Sequence, residues 1–225
     1  MMNDRGVEEV VVDTGDAQLA GTLTLPDQAA GIVLFAHGSG SSRFSTRNQF
    51  VARTLHGGGL ATLLFDLLTA AEQMVDEQTR ELRFDIALLS RRLIGAIDWL
   101  ATQRRLGGIP RGLFGASTGS AAALNAAAER SEQVKAVVSR GGRPDLASQL
   151  ERVSAPTLLI VGGYDKQVVA LNREAAARLR AEHRLEIVPG ATHLFEEPGT
   201  LEAVAELACR WFQRYLRGHD QAAQQ

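Results

Sequence analysis

The segment 111–119, with the sequence RGLFGASTG, contains the pattern G-x-S-x-G, in which Ser117 stands between Gly115 and Gly119. It follows a short apolar run and precedes an alanine-rich stretch at 120–128 that is typical of a helix. This placement predicts a sharp turn between a strand and a helix, whose strained backbone raises the serine hydroxyl above a sheet. The glycines leave room for strand and helix to approach each other. The alternative is that Ser117 only caps the helix by accepting hydrogen bonds from backbone N–H groups.

Short apolar runs alternate with amphipathic stretches along the chain. After a predicted antiparallel hairpin, formed by 7–12 and 18–25, six further runs lie at 32–36, 61–65, 112–114, 134–138, 157–161 and 185–188. Several are continuously apolar, which is typical of strands that are buried on both faces of a sheet. The stretches between them have helical spacing, as in the apolar stripes from Leu82 to Leu100 and from Leu201 to Leu216. The pattern predicts an α/β fold with a mostly parallel eight-stranded sheet and helices on both faces.

Length and composition limit the classes of function. The 225 residues are 45% hydrophobic and carry a formal net charge of −2. We expect a single domain over residues 1–217 and a flexible tail at 218–225. Because the charge is close to zero, we expect neither a nucleic acid nor a membrane as a partner.

Cysteine and histidine usage argues against metal chemistry. Cys209 is the single cysteine, and no two histidines have the spacing of metal ligands. We therefore expect no metal and no cofactor. The start of the chain lacks the features of a secretory signal, and no apolar run is long enough to span a bilayer, so we expect a cytoplasmic protein.

Two further residues follow predicted strands at the edge of the sheet where Ser117 is expected. Asp165 follows the run 157–161, and His193 follows the run 185–188. Reactive groups of open parallel sheets collect at the carboxyl ends of the strands. Because the chain order Ser, Asp, His is the one expected for a G-x-S-x-G turn, we predict that Ser117, Asp165 and His193 form a catalytic triad.

These segments make the chain resemble the α/β-hydrolase family over nearly its full length. The motifs that carry the resemblance are His37-Gly38-Ser39-Gly40, Gly115-Ala116-Ser117-Thr118-Gly119, Gly163-Tyr164-Asp165 and Gly190-Ala191-Thr192-His193. Within that family the chain is similar to small serine esterases without a lid, of the dienelactone-hydrolase-like branch. It departs from dienelactone hydrolases proper, which typically carry a cysteine nucleophile where this chain has Ser117.

The roles of the site residues follow from the chemistry and from the resemblance. His193 is expected to take the proton of Ser117 as general base, and Asp165 to orient the imidazole. The backbone N–H of Thr118, directly after the nucleophile, is expected to stabilise the oxyanion. The resemblance assigns the second oxyanion donor to the N–H of Ser39.

Other polar residues near this edge leave alternatives open. Asp66 and Asp145 compete with Asp165 as the acid, and we favour Asp165. The segment His37-Gly38-Ser39-Gly40 after the third strand is called the oxyanion loop below, and His37 is expected to shape it rather than to act as a base.

Arginines on the loops at the same edge are candidates for substrate binding. Arg43, Arg140 or Arg143, together with Gly38, is a candidate to contact the substrate, and an arginine there binds a carboxylate well. The alternative is that each arginine pairs with a local carboxylate and stabilises a loop.

The spacing after the sixth strand leaves no room for a lid domain, because fewer than twenty residues separate Ser139 from Pro156. We therefore expect an open cleft and a carboxylesterase that acts on small to medium soluble esters through an acyl-enzyme. Lactone or thioester hydrolysis on the same triad is the alternative, and a non-catalytic binding module of this fold is a further one. The sequence leaves open whether two copies of the chain form a homodimer.

Overall fold

The computed structural model describes residues 6–217, so the expected tail at 218–225 lies outside the described residues. The strands in this part of the chain are β1 (Val7–Asp13), β2 (Gln18–Thr24), β3 (Ile32–Ala36), β4 (Ala61–Phe65), β5 (Arg111–Ala116), β6 (Val134–Arg140), β7 (Thr157–Gly162) and β8 (His183–Val188). The helices are α1 (Thr46–Gly57), α2 (Ala70–Thr79), α3 (Ile86–Thr102), α4 (Thr118–Glu129), α5 (Lys166–Arg178) and α6 (Thr200–Leu216).

These eight strands form one sheet in the order β1-β2-β4-β3-β5-β6-β7-β8. The first two strands pair antiparallel, β2 pairs antiparallel with β4, and the remaining neighbours are parallel. The predicted mostly parallel eight-stranded sheet is therefore confirmed. Crossover helices between parallel strands place the carboxyl ends of β3 to β8 at a common edge.

The sheet is covered by helices on both faces. Every residue of β3, β4, β5 and β7 is buried, which explains their continuously apolar sequences. On one face, α3 and α4 pack on side chains of the strands, and on the other face α1 and α6 do so. The outer strand β8 is mostly exposed or half-buried, as an edge strand can be.

The stripe that begins at Leu82 predicts a longer helix than the one observed. Residues Leu82–Phe84 form a short 3₁₀ turn, and α3 begins only at Ile86. The side chain of Asp85 accepts a hydrogen bond from the N–H of Leu88 at 2.9 Å and so caps α3. The cap fixes the start of the helix, although the apolar spacing extends before it.

Two segments could cover the edge of the sheet at the carboxyl ends of the strands, and neither of them forms a lid. Between β6 and β7 the chain makes only two 3₁₀ turns, Pro144–Leu146 and Leu150–Arg152. The segment after β4 forms the short helix α2, which begins with a capping box between Thr69 and Glu72. Across residues 6–217, none of the helices combines the length and the apolar character that crossing a membrane requires.

Candidate active site

Ser117 lies on the turn between β5 and α4, in a backbone conformation that non-glycine residues rarely adopt. Its φ and ψ angles are 50° and −121°. Such a conformation costs about 1–3 kcal/mol and persists only where the surrounding structure holds it. Here the N–H of Ser117 donates to the carbonyl of Arg140 at 3.1 Å, and the N–H of Arg143 donates to the carbonyl of Ser117 at 3.1 Å. The loop after β6 therefore holds the serine in place.

Small residues are required around this turn because the backbones approach closely. A Cβ at Gly119 would lie 2.2 Å from the carbonyl oxygen of Ala36, and one at Gly115 would lie 2.5 Å from the Cα of Ser120. Side chains do not fit at such distances. The two glycines of the G-x-S-x-G pattern thus permit the contact of strand and helix that the sequence predicts.

Asp165 and His193 meet at the same edge of the sheet. Nδ1 of His193 lies 2.6 Å from Oδ2 of Asp165, and the side chains are 37% and 17% exposed. Their two loops are joined by backbone hydrogen bonds, among them one from the N–H of Tyr164 to the carbonyl of Ala191 at 2.9 Å. With the ring proton on Nδ1, His193 donates a hydrogen bond to this carboxylate, and Nε2 then has the lone pair that a proton acceptor needs.

The segment Arg140-Gly141 lies between the serine and the histidine. Arg140 binds the backbone of Ser117, and a Cβ built on Gly141 would lie 3.5 Å from Nδ1 of His193. Ser117 and His193 therefore flank the end of β6. Within residues 6–217 the hydroxyl of Ser117 makes no hydrogen bond to His193, and such bonds often tighten only when substrate binds.

The two predicted oxyanion donors belong to two different segments, and both segments adjoin Ser117. Thr118 is the first residue of α4, so its N–H belongs to the group that has no partner within the helix. Ser39 follows Gly38, whose Cβ position would lie 3.2 Å from Cβ of Ser117. The loop after β3 thus passes directly beside Ser117.

His37 holds that loop in place through both ring nitrogens. Nδ1 lies 3.0 Å from the carbonyl of Gly38, and Nε2 accepts the N–H of Leu67 at 3.0 Å. Burial lowers the pKa of His37, against smaller opposing effects of the Gly38 hydrogen bond and the Asp66 charge. A buried neutral imidazole with both nitrogens occupied joins the oxyanion loop to the loop after β4, which is a structural role.

The three candidate arginines differ in whether a carboxylate binds their guanidinium groups. The guanidinium of Arg43 contacts the carboxylate of Asp66, whose other oxygen also accepts the backbone N–H of Arg43 at 2.8 Å. Arg143 binds Asp145 through two hydrogen bonds of 2.9 and 2.7 Å. Both competing acids are thus occupied by arginines. Arg140 has no carboxylate within 4.0 Å in the described part of the chain.

A buried ion pair lies next to the oxyanion loop, and no pattern in the sequence predicts it. Asp76 of α2 is 1% exposed and accepts hydrogen bonds from the backbone N–H of Arg83 at 2.9 Å and from its Nε at 2.6 Å. Burial raises the pKa of Asp76, but the hydrogen bonds and charge of Arg83 outweigh it, and the net pKa is lowered. Arg83 also lies against Gly40, where a Cβ would come within 2.9 Å of Nη1. No motif connects these residues, so only the tertiary structure shows the contact.

A groove of about 730 Å³ begins at the oxyanion loop and extends over α2 and β2. Its lining combines polar residues, among them Arg43, Asp66 and Gln73, with the apolar Ala20, Phe44, Leu68 and Ala70. Among residues 6–217, no three His, Cys, Asp or Glu side chains form a group that could hold a metal ion. The site is therefore built from a serine turn, a histidine–carboxylate pair and backbone N–H groups.

Comparison with known proteins decides the family. The family model described as "Dienelactone hydrolase family" matches residues 19–221. The chain belongs to the dienelactone hydrolase family. The resemblance inferred from the sequence motifs is confirmed, and members of this family are hydrolases.

Two relatives are more than half identical to this dienelactone hydrolase family member over the aligned residues. A dienelactone hydrolase structure from Anabaena variabilis is 59% identical, with a TM-score of 0.92, and the match covers 95% of this chain and all of that chain. A Mycobacterium tuberculosis protein, named provisionally as a phosphoribosyl transferase, is 58% identical over 212 residues, which are 94% of this chain and 47% of that protein. The chain spans about half the length of that curated relative.

A more distant structure shows the same fold without a lid. It is a serine hydrolase from Xanthomonas campestris described as having no lid, with a TM-score of 0.74 and 19% identity. The match covers 95% of this chain and 97% of that one. The α/β-hydrolase fold of this dienelactone hydrolase family member, without a lid domain, is thus confirmed.

Proposed function

We propose that this dienelactone hydrolase family member is a serine carboxylesterase that cleaves small to medium soluble esters. The observation that carries the proposal is the hydrogen bond of 2.6 Å between His193 and Asp165, at the same sheet edge as the strained turn of Ser117. A base that a carboxylate orients, at the same sheet edge as a half-buried serine hydroxyl, is what activation of a serine requires.

In the proposed mechanism, Oγ of Ser117 attacks the carbonyl carbon of the ester while Nε2 of His193 takes the hydroxyl proton. Throughout, the carboxylate of Asp165 accepts a hydrogen bond from Nδ1–H of His193 and stabilises the imidazolium. The tetrahedral oxyanion accepts hydrogen bonds from the N–H groups of Thr118 and Ser39. His193 then gives its proton to the leaving alcohol oxygen as the bond to the acyl carbon breaks.

The resulting acyl-enzyme is an ester of Ser117. Water attacks the acyl carbon, and His193 takes a proton from it. The second tetrahedral intermediate collapses, the serine oxygen leaves with the proton from His193, and a carboxylic acid is released. The balance is one ester and one water converted to one acid and one alcohol, without a cofactor.

The surroundings of the site support soluble substrates of modest size. No lid covers the edge, and the adjacent groove carries hydroxyl, amide and charged side chains beside the apolar Phe44 and Leu68. Without a lid, a long apolar acyl chain would stay partly in water, and hydrophobic stabilisation scales with the apolar area removed from water.

Lactone hydrolysis is the second candidate, because the Anabaena variabilis structure at 59% identity is described as a dienelactone hydrolase. A lactone is an internal ester, so the same steps apply and the leaving alcohol stays attached to the acyl group. The serine nucleophile distinguishes this chain from the cysteine enzymes of that name. The transferase name belongs to a relative of about twice the length, and no residue of the site described here supports a transfer of ribose phosphate.

A substrate panel tests the proposal. The purified chain is assayed with p-nitrophenyl acetate, butyrate and palmitate, with γ- and δ-lactones, and with an acyl thioester. We expect kcat/KM to be highest for the short esters and to fall for the palmitate. Turnover of lactones alone would replace the esterase by the lactonase, and no turnover of any acyl compound would contradict both.

A further inference from the structure

Two grooves follow each other along one face of the sheet. The groove of about 730 Å³ at the oxyanion loop, which we call the near groove, includes Gln18 and Ala20 of β2 in its lining. A second groove of about 620 Å³, the far groove, is lined by Thr22 and Thr24 of the same strand. Because every second residue of a strand points to the same face, these four side chains lie on one face of β2. The two grooves are therefore successive parts of one path along the sheet.

A ridge formed by Arg43 and Phe44 separates the two grooves, and no other residue among 6–217 lines both of them. The guanidinium of Arg43 contacts the carboxylate of Asp66 in the near groove and lies 3.6 Å from that of Glu9 in the far groove. Its Cζ lies 4.2 Å from the centroid of the Phe44 ring, a cation–π contact. The ring is 60% exposed because a groove lies on either side of it. An anchored arginine thus holds this ring between the grooves.

The order of the strands determines which part of an ester reaches the near groove. Ser117 follows β5, and the imidazole of His193 lies against Gly141, directly after the neighbouring strand β6. The near groove lies on the other side of β5, over β4 and β2. In the proposed mechanism His193 protonates the leaving alcohol, so the alcohol lies on the side of the histidine. The acyl chain therefore points the opposite way, across the oxyanion loop and toward the near groove.

The spacing of the strands gives the length of acyl chain that reaches the ridge. Neighbouring strands lie about 4.8 Å apart, so β4 is roughly 10 Å and β2 roughly 15 Å from β5. An extended chain advances about 1.2 Å per bond, as an extended polypeptide does. An acyl chain attached to Ser117 therefore enters the near groove with about eight carbons and reaches the ridge with about twelve.

We propose that the ridge of Arg43 and Phe44 sets the upper limit of acyl-chain length. A chain that fills the near groove meets the Phe44 ring before it can enter the far groove. Beyond the ring, the lining of the far groove includes the apolar Val7, Pro26 and Leu64, which a longer chain would contact if the ring were absent. The assignment of the acyl chain as the occupant rests on the proposed esterase function.

Two esters that differ only in acyl length test the proposal. The measured quantity is the ratio of kcat/KM for p-nitrophenyl dodecanoate to that for the octanoate. We expect Phe44→Ala to raise this ratio roughly 10-fold, the factor that burial of about two further methylene groups gives. Phe84 is 56% exposed and lines neither groove, so Phe84→Ala should keep the wild-type ratio. An unchanged ratio in Phe44→Ala, or an equal increase in Phe84→Ala, overturns the proposal.

A variant with the opposite effect and a second series of esters test the path of the chain. Ala20→Phe places a ring in the near groove, on an exposed strand position where an aromatic residue is well tolerated. We expect it to lower the ratio of octanoate to butyrate hydrolysis roughly 10-fold. In dodecyl and octyl acetate the long chain belongs to the alcohol, so Phe44→Ala should leave their ratio unchanged. An increase there equal to that of the acyl series would contradict the path of the acyl chain.

A binding experiment separates this proposal from the proposed function. The affinities of the Ser117→Ala protein for octanoate and dodecanoate are measured by calorimetry, with and without Phe44→Ala. We expect Phe44→Ala to raise the affinity for dodecanoate relative to octanoate roughly 10-fold. This increase in a protein whose Ser117 form hydrolyses no ester would contradict only the proposed function. Ester hydrolysis with both ratios unchanged by Phe44→Ala would contradict only the role of the ridge.

Discussion

Replacing Ser117 with alanine is expected to lower kcat for ester hydrolysis by about five to six orders of magnitude. The variant loses the oxygen that forms the acyl-enzyme, and water would have to attack the ester directly. The backbone N–H groups of Ser39 and Thr118 remain, so a small acceleration over the uncatalysed reaction should persist. The measurement is the initial rate with a p-nitrophenyl ester at saturating concentration.

The control for this variant is Ser120→Ala. Ser120 lies three residues further along in α4, and its buried hydroxyl donates to the carbonyl of Gly115 at 2.9 Å. We expect this change to cost some stability and to leave turnover within about tenfold, since the hydroxyl contacts only the backbone. Ester turnover by Ser117→Ala within tenfold of the wild-type rate, from a preparation free of contaminating esterases, would remove Ser117 from the mechanism.

Replacing Asp165 with asparagine is expected to lower kcat by about four orders of magnitude. The amide has nearly the shape of the carboxylate, but its NH₂ group can donate to Nδ1 of His193. The imidazole then carries its proton on Nε2 and cannot accept the proton of Ser117. The loss therefore falls on kcat, and the fold should be retained.

The matched control for Asp165→Asn is Asp145→Asn. Asp145 also lies on a loop at the carboxyl edge of the sheet, but its carboxylate binds Arg143 and not a histidine. A small loss for Asp145→Asn, together with a large one for Asp165→Asn, would agree with the orienting role of Asp165. Equal losses would instead indicate that both carboxylates act only by stabilising loops.

The fold could be predicted from the sequence because its local patterns are consistent with one another. Continuous apolar runs predict the buried strands, and the G-x-S-x-G pattern at Ser117 predicts the turn between β5 and α4. The stripe beginning at Leu82 predicts too early a start for α3, because it runs through the 3₁₀ turn before Asp85. Side-chain capping determines where such a helix begins, and the spacing of apolar residues carries no information about the cap.

Contacts between distant segments lay beyond what the sequence shows. Arg83 lies against Gly40 of the oxyanion loop, and the carboxylate of Asp76 in α2 binds its guanidinium there. Likewise, the sequence left Arg43, Arg140 and Arg143 equivalent. Pairing with Asp66 or Asp145 is a tertiary property, and it is what distinguishes Arg140 from the other two.

The central claim is that the hydroxyl of Ser117 becomes acylated during turnover. The most direct test is mass spectrometry of the protein quenched in acid during hydrolysis of a slowly deacylating p-nitrophenyl ester. The account predicts a mass increase equal to one acyl group, located by peptide mapping on Ser117 and absent from Ser117→Ala. Rapid turnover with the acyl group on another residue, or with no acylated protein at any time of quenching, would contradict it.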